Sequence, residues 1–77
     1  MNDNDPEFAK DMLRGADEIA AYLFGNPGLR RKVYHLVATS NLPVFKLGSV
    51  ICARKSVLLK WVAAQETRHT TNSRMQA

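Results

Sequence analysis

Arg30, Arg31 and Lys32 stand side by side, and Tyr34 and His35 follow within the next turn of any helix they share. A guanidinium is planar and always charged, so an arginine suits bidentate pairing with a phosphate or a base edge, while a lysine acts as a point charge. Tyr34 adds a hydroxyl and His35 two ring nitrogens. Lys46, Arg54, Lys55 and Lys60 offer further cations for phosphate oxygens. This chemistry grips anions. Catalysis has little material: His35 and His69 are far apart, the single Cys52 has no CxxC partner, and the carboxylates crowd toward the amino terminus. Neither a zinc site nor an acid–base pair follows from such spacing, and no metal, cofactor or enzymatic activity is expected. Cys52 reads as a small apolar residue.

Charge is segregated along the chain. Residues 1–24 carry Lys10 and Arg14 against six carboxylates, and the remainder carries nine cations against Glu66 alone, for a formal net charge of +4. A field divided in this way attracts a polyanion, either nucleic acid or an acidic membrane surface. The membrane is the weaker candidate, because the basic segment lacks a broad apolar insertion face. At 77 residues there is room for one small domain and no deep cleft. With one cysteine, no apolar run of membrane-spanning length and an acidic amino terminus, a cytoplasmic protein held by an apolar core is expected.

The elements that position the cations follow from periodicity. Asp5-Pro6-Glu7 predicts a helix start, with a short helix from about 6 to 13 broken near Gly15. Ile19, Ala20 and Leu23 stripe a second helix from 16 to 24, and Gly25-Asn26-Pro27-Gly28 predicts a tight turn. Leu29, Val33, Leu36 and Val37 share one face of a third helix over 29–39, which leaves Arg31, Tyr34, His35 and Ala38 opposite and Arg30 and Lys32 on the flanks. Pro43 prevents its continuation. Residues 44–47 and 50–53 read as strands around a Gly48-Ser49 turn, with Phe45 and Leu47 marking a face to bury. A last helix over 55–65 gathers Leu58, Trp61, Val62 and Gln65 on one side. Trp61 is expected in the core, and Leu59 lies off that stripe.

The predicted class is mainly α with a small β-hairpin, in the order helix-turn-helix-hairpin-helix of a winged helix-turn-helix. The predicted organisation is an acidic arm over 1–13, a DNA-binding domain over 14–66 and a flexible basic tail over 67–77.

Within this order, residues 17–23 (Asp-Glu-Ile-Ala-Ala-Tyr-Leu), 30–36 (Arg-Arg-Lys-Val-Tyr-His-Leu), 42–48 (Leu-Pro-Val-Phe-Lys-Leu-Gly) and Arg54 through Leu58 to Trp61-Val62 resemble the excisionase-type small winged helix-turn-helix proteins. These belong to a wider MerR-like group that includes AlpA-type regulators. The likeness covers about residues 16–63. It departs in a connection between Leu23 and Val33 about three residues longer than usual, and in Val50 and Cys52, which stand where relatives place wing arginines. The resemblance implies a second helix in the major groove of double-stranded DNA and a wing along the backbone or minor groove. Arg30, Arg31, Lys32, Tyr34 and His35 would read and grip the groove, with Arg31 on a base edge and Lys46, Arg54 and Lys55 on phosphate. It also implies DNA bending, cooperative self-association on neighbouring sites, and a tyrosine or serine integrase as partner. The alternatives are a small AlpA-type transcriptional regulator and a protein-interaction module in which the apolar wing and Leu59 meet a partner.

Overall fold

A computed structural model describes residues 6–76, with side chains over 7–68. The elements run α1 (Pro6–Asp11), β1 (Met12–Arg14), α2 (Gly15–Phe24), a single 3-10 turn (Pro27–Leu29), α3 (Arg30–Ser40), β2 (Phe45–Leu47), β3 (Val50–Arg54) and α4 (Lys55–Gln76). The chain is thus mainly helical with a small antiparallel sheet of three strands, in the order β1-β3-β2.

The first strand corrects the expectation of a helix running to residue 13. Leu13 sits opposite Ala53 and is buried, so pairing with β3 holds this segment extended against the core. Gly15 then turns the chain into α2 at φ 84°, a conformation that side chains with a Cβ disfavour. A boundary between residues 13 and 14 falls inside β1, which joins the supposed arm to the domain. The cap expected at Asp5 lies outside the described residues.

The helix pair follows its periodicity. Ile19 and Ala20 of α2 and Val33 of α3 are completely buried, with Leu23, Leu29, Leu36 and Val37 packed around them. The longer connection is ordered by its own groups. Gly25 ends α2 in the left-handed region, the Asn26 side chain accepts from the Gly28 amide at 2.8 Å, and the Leu29 amide donates to the Asn26 carbonyl at 3.1 Å. At the end of α3, Asn41 is left-handed and the Leu42 amide donates to the Leu36 carbonyl at 3.3 Å. Burial of Leu42 completes this left-handed helix stop.

β2 and β3 meet through Gly48-Ser49 as expected, with Gly48 at φ 66°. The expectation of a buried face on β2 is overturned: Phe45, Lys46 and Leu47 are all exposed. The face with Leu13, Ala53 and Ile51 packs on the core, and on the opposite face α1 meets Arg54 through Phe8 and Asp11. α4 carries its stripe as predicted, with Leu58 fully buried and Trp61, Val62 and Gln65 half-buried. It runs to Gln76, so residues 67–76, expected as a flexible tail, continue the helix. Neither glycine nor proline occurs after Gly48, so nothing in the sequence breaks the helix where the apolar residues end.

Asp11 ties the two ends of the domain together. Its carboxylate accepts from the Ser56 amide at 2.9 Å, the Ser56 hydroxyl at 2.6 Å and Arg54 Nε at 3.0 Å. The Ser56 amide is one of the first of α4 and has no partner within its own helix, so the last residue of α1 caps α4 across the fold. The hydrogen bond from the Ser56 hydroxyl, opposed by desolvation and aided by the Ser56 amide and Arg54, holds the Asp11 carboxyl below its usual range. A carboxyl with a lowered folded-state pKa adds stability that is fully present above its unfolded pKa and lost as pH falls through the folded value. The gap in unfolding midpoint between wild type and Asp11→Asn is therefore expected to be constant at neutral pH and to close as pH falls below about 4. Thermal melts across that range measure it, and a gap that persists into strong acid would contradict the assigned role.

Candidate nucleic-acid interface

α3 presents the basic and aromatic group as a surface. Because Val33 is locked in the core and Leu29, Leu36 and Val37 pack beside it, the helix has one rotational setting, with Arg31, Tyr34, His35 and Ala38 exposed. Tyr34 keeps 54% of its surface open, too much for a residue that merely covers the core edge. Ala38, one to two turns further along the same face, is its small residue. Arg31 makes no ion pair, hydrogen bond or ring contact with another described residue, and neither does Lys46 on β2.

The other predicted contacts have partners inside the fold. Arg30 reaches Asp17 of α2 at 3.3 Å, with both side chains about 60% exposed. An exposed pair of this kind is worth at most about 1 kcal/mol, so a phosphate competes with it readily. Lys32 Nζ stands 5.8 Å from the centre of the Phe24 ring, and Lys55 Nζ 5.9 Å from that of Tyr22. Arg54 is the most committed: it holds Asp11 and lies 5.2 Å over the Phe8 ring. The expected wing and flank group therefore divides into Lys46 alone on β2, Arg54 in the Asp11 clamp and Lys55 against α2.

One cation escaped the sequence pattern. Arg14 is exposed on β1 directly opposite Cys52, which on its other side faces Phe45, so these three form one row across the sheet. Pairing alone reveals this position, since Met-Leu-Arg carries no strand signal of its own. Cys52 is buried as a small apolar residue. Among the described residues no group of three metal-ligating side chains converges, and no helix is long and apolar enough to cross a membrane.

No family model, curated protein or solved structure matches the chain. The functional reading rests on the geometry of α3 and on the charge around it. Between Glu18 and Glu66 there is no carboxylate at all, and that stretch includes α3, the hairpin and the first half of α4.

Proposed function

We propose that the chain is a sequence-specific DNA-binding accessory protein, an excisionase or recombination directionality factor that binds and bends attachment-site DNA and steers an integrase toward excision. The observation that carries the DNA reading is the outer face of α3: Arg31, Tyr34, His35 and Ala38 are exposed together on a helix without a single acid. In this reading α2, the 3-10 turn and α3 act as a helix-turn-helix and β2–β3 as its wing. Support comes from their order, from the capped connection that fixes α3 against α2, and from the lack of any carboxylate between Glu18 and Glu66. Arg31 reads a base edge, Arg30 and Lys32 grip the flanking phosphates, and Lys46 holds backbone from the wing. So small a module reads few base pairs, so cooperative copies or the integrase supply the remaining specificity.

Titration of duplex DNA at several salt concentrations tests the binding step. About four phosphate contacts, from Arg30, Lys32, Lys46 and one of Lys55 or Lys60, predict a slope of log affinity against log salt near −3.6, at roughly −0.9 for each phosphate. A flat dependence would remove the DNA reading and leave the protein-interaction module. Excision by the cognate integrase, with and without this protein, tests the role. An unchanged yield with intact DNA binding leaves an AlpA-type regulator as the function.

A further inference from the structure

We propose that the hairpin tip is an apolar wedge: Leu47 and Val50, backed by Phe45, enter the minor groove and part a base step, so that the wing itself bends the DNA. The proposal rests on the DNA-binding reading and adds to it the residues that deform the duplex.

Leu47 and Val50 are direct partners across β2 and β3, so their side chains leave the hairpin on the same face. They are 53% and 46% exposed, and Phe45, one pair further back and opposite Cys52, is 38% exposed. Single exposed leucines are ordinary on protein surfaces. Here three large apolar residues occupy neighbouring positions of one face at the end of a hairpin, each with more than a third of its surface open, and the two at the tip are the most exposed. Gly48 adds no bulk at the turn, and beyond its two chain neighbours no atom lies within 4 Å of the place its Cβ would take.

The surrounding charge selects the occupant. Lys46 lies between Phe45 and Leu47 in sequence, Arg14 shares the row of Cys52 and Phe45, and β2, β3 and their turn contain no acid. An apolar tip in a cationic setting complements a groove whose walls are phosphates and whose floor is stacked bases. The minor groove, about 6 Å wide, is too narrow for a two-stranded ribbon, so entry requires it to open. Leucine and phenylalanine inserted between base pairs do this, unstacking the step and kinking the duplex away from the wedge. Pyrimidine–purine steps yield most easily, so the tip favours TA and CA/TG.

Ligase-catalysed cyclisation of mixed-sequence duplexes of about 120 bp, shorter than the persistence length of about 150 bp, reads bending, and gel shifts on the same fragments read occupancy. At matched occupancy the full chain is expected to raise the cyclisation rate on the order of tenfold. Compared at equal occupancy, reached by adjusting the protein concentration, the Leu47→Ser/Val50→Ser variant should leave cyclisation at the rate of bare DNA. Leu47→Met, which keeps an apolar tip, should bend as wild type does. Both altered side chains are exposed, and an unchanged unfolding midpoint checks that the fold is intact. A double variant that bends DNA like wild type would overturn the wedge and assign the strip to a protein partner. Wild type that binds without raising cyclisation would overturn it too, whereas wild type that does not bind the fragments removes the DNA reading beneath it.

Discussion

Leu58→Ala is expected to cost about 2–5 kcal/mol of folding stability, while Leu59→Ala beside it changes stability by less than about 0.5 kcal/mol. The two residues are neighbours of identical chemistry in α4, and only their direction differs. Leu58 is completely buried among residues of β1, α2, α3 and β3, whereas Leu59 keeps 58% of its surface in solvent. Truncating Leu58 removes methyl groups from the core and leaves a cavity that the surrounding backbone can only partly close. A domain of this size has about 4–12 kcal/mol of stability in total, at roughly 0.05–0.15 kcal/mol per residue, so the loss is a large part of it. Leu58 is also the only fully buried side chain that α4 supplies among the described residues, which leaves the helix weakly attached once it is cut back. Urea unfolding followed by far-ultraviolet circular dichroism measures both variants. Similar midpoints for the two would refute the packing described for α4.

Arg31→Ala is expected to weaken binding to the preferred DNA site by about 5- to 150-fold, the equivalent of 1–3 kcal/mol, and to change binding to random DNA far less. Arg31 is distinguished from its neighbours by position. It projects from the middle of the outer face with no partner among the described residues, while Arg30 leans on Asp17 and Lys32 on Phe24 at the two flanks. A residue in the middle of the face meets base edges when the helix lies in the major groove, and residues at its flanks meet the phosphates on either side. Arg30→Ala should accordingly reduce affinity by a similar factor on specific and random DNA. Site selection from a random pool followed by gel shifts provides the comparison. Equal losses on both kinds of DNA for Arg31→Ala would reassign it to phosphate.

The parts of the fold legible in the sequence are those whose signals are local. Val33, Leu36 and Val37 recur at helical spacing, Gly25 and Asn41 stand where the helices stop, and Gly48-Ser49 falls between two strand-forming runs. The outward setting of Arg31, Tyr34 and His35 follows from that same spacing, so the central part of the candidate site is legible in the sequence. The remainder depends on residues distant in sequence. Met12–Arg14 becomes a strand because Cys52–Arg54 pairs with it, and no propensity in three residues announces that. Likewise, the engagement of Arg30 with Asp17, 13 positions away, and of Arg54 with Asp11, 43 away, follows only from the folded chain. β2 misled for a different reason: alternation of apolar and polar residues reports which face two side chains share, and only the tertiary fold decides whether anything covers that face.

The clasp between the chain's distant segments also governs when folding can happen. α2 and α3, of 10 and 11 residues, are shorter than isolated helices need to be for stability in water, and the core they form with each other is completed by Leu13 of β1 before them and by Ala53 of β3 and Leu58 of α4 after them. β1 has no strand to pair with until β3 exists, and Asp11 has no amide to cap until Ser56 does. A ribosome making this protein therefore releases its two central helices as unprotected chain, and they consolidate only when residues 50–58 arrive to close the bracket around them. Folding is then a single event that waits for residue 58, and α3 has no native life apart from the whole domain.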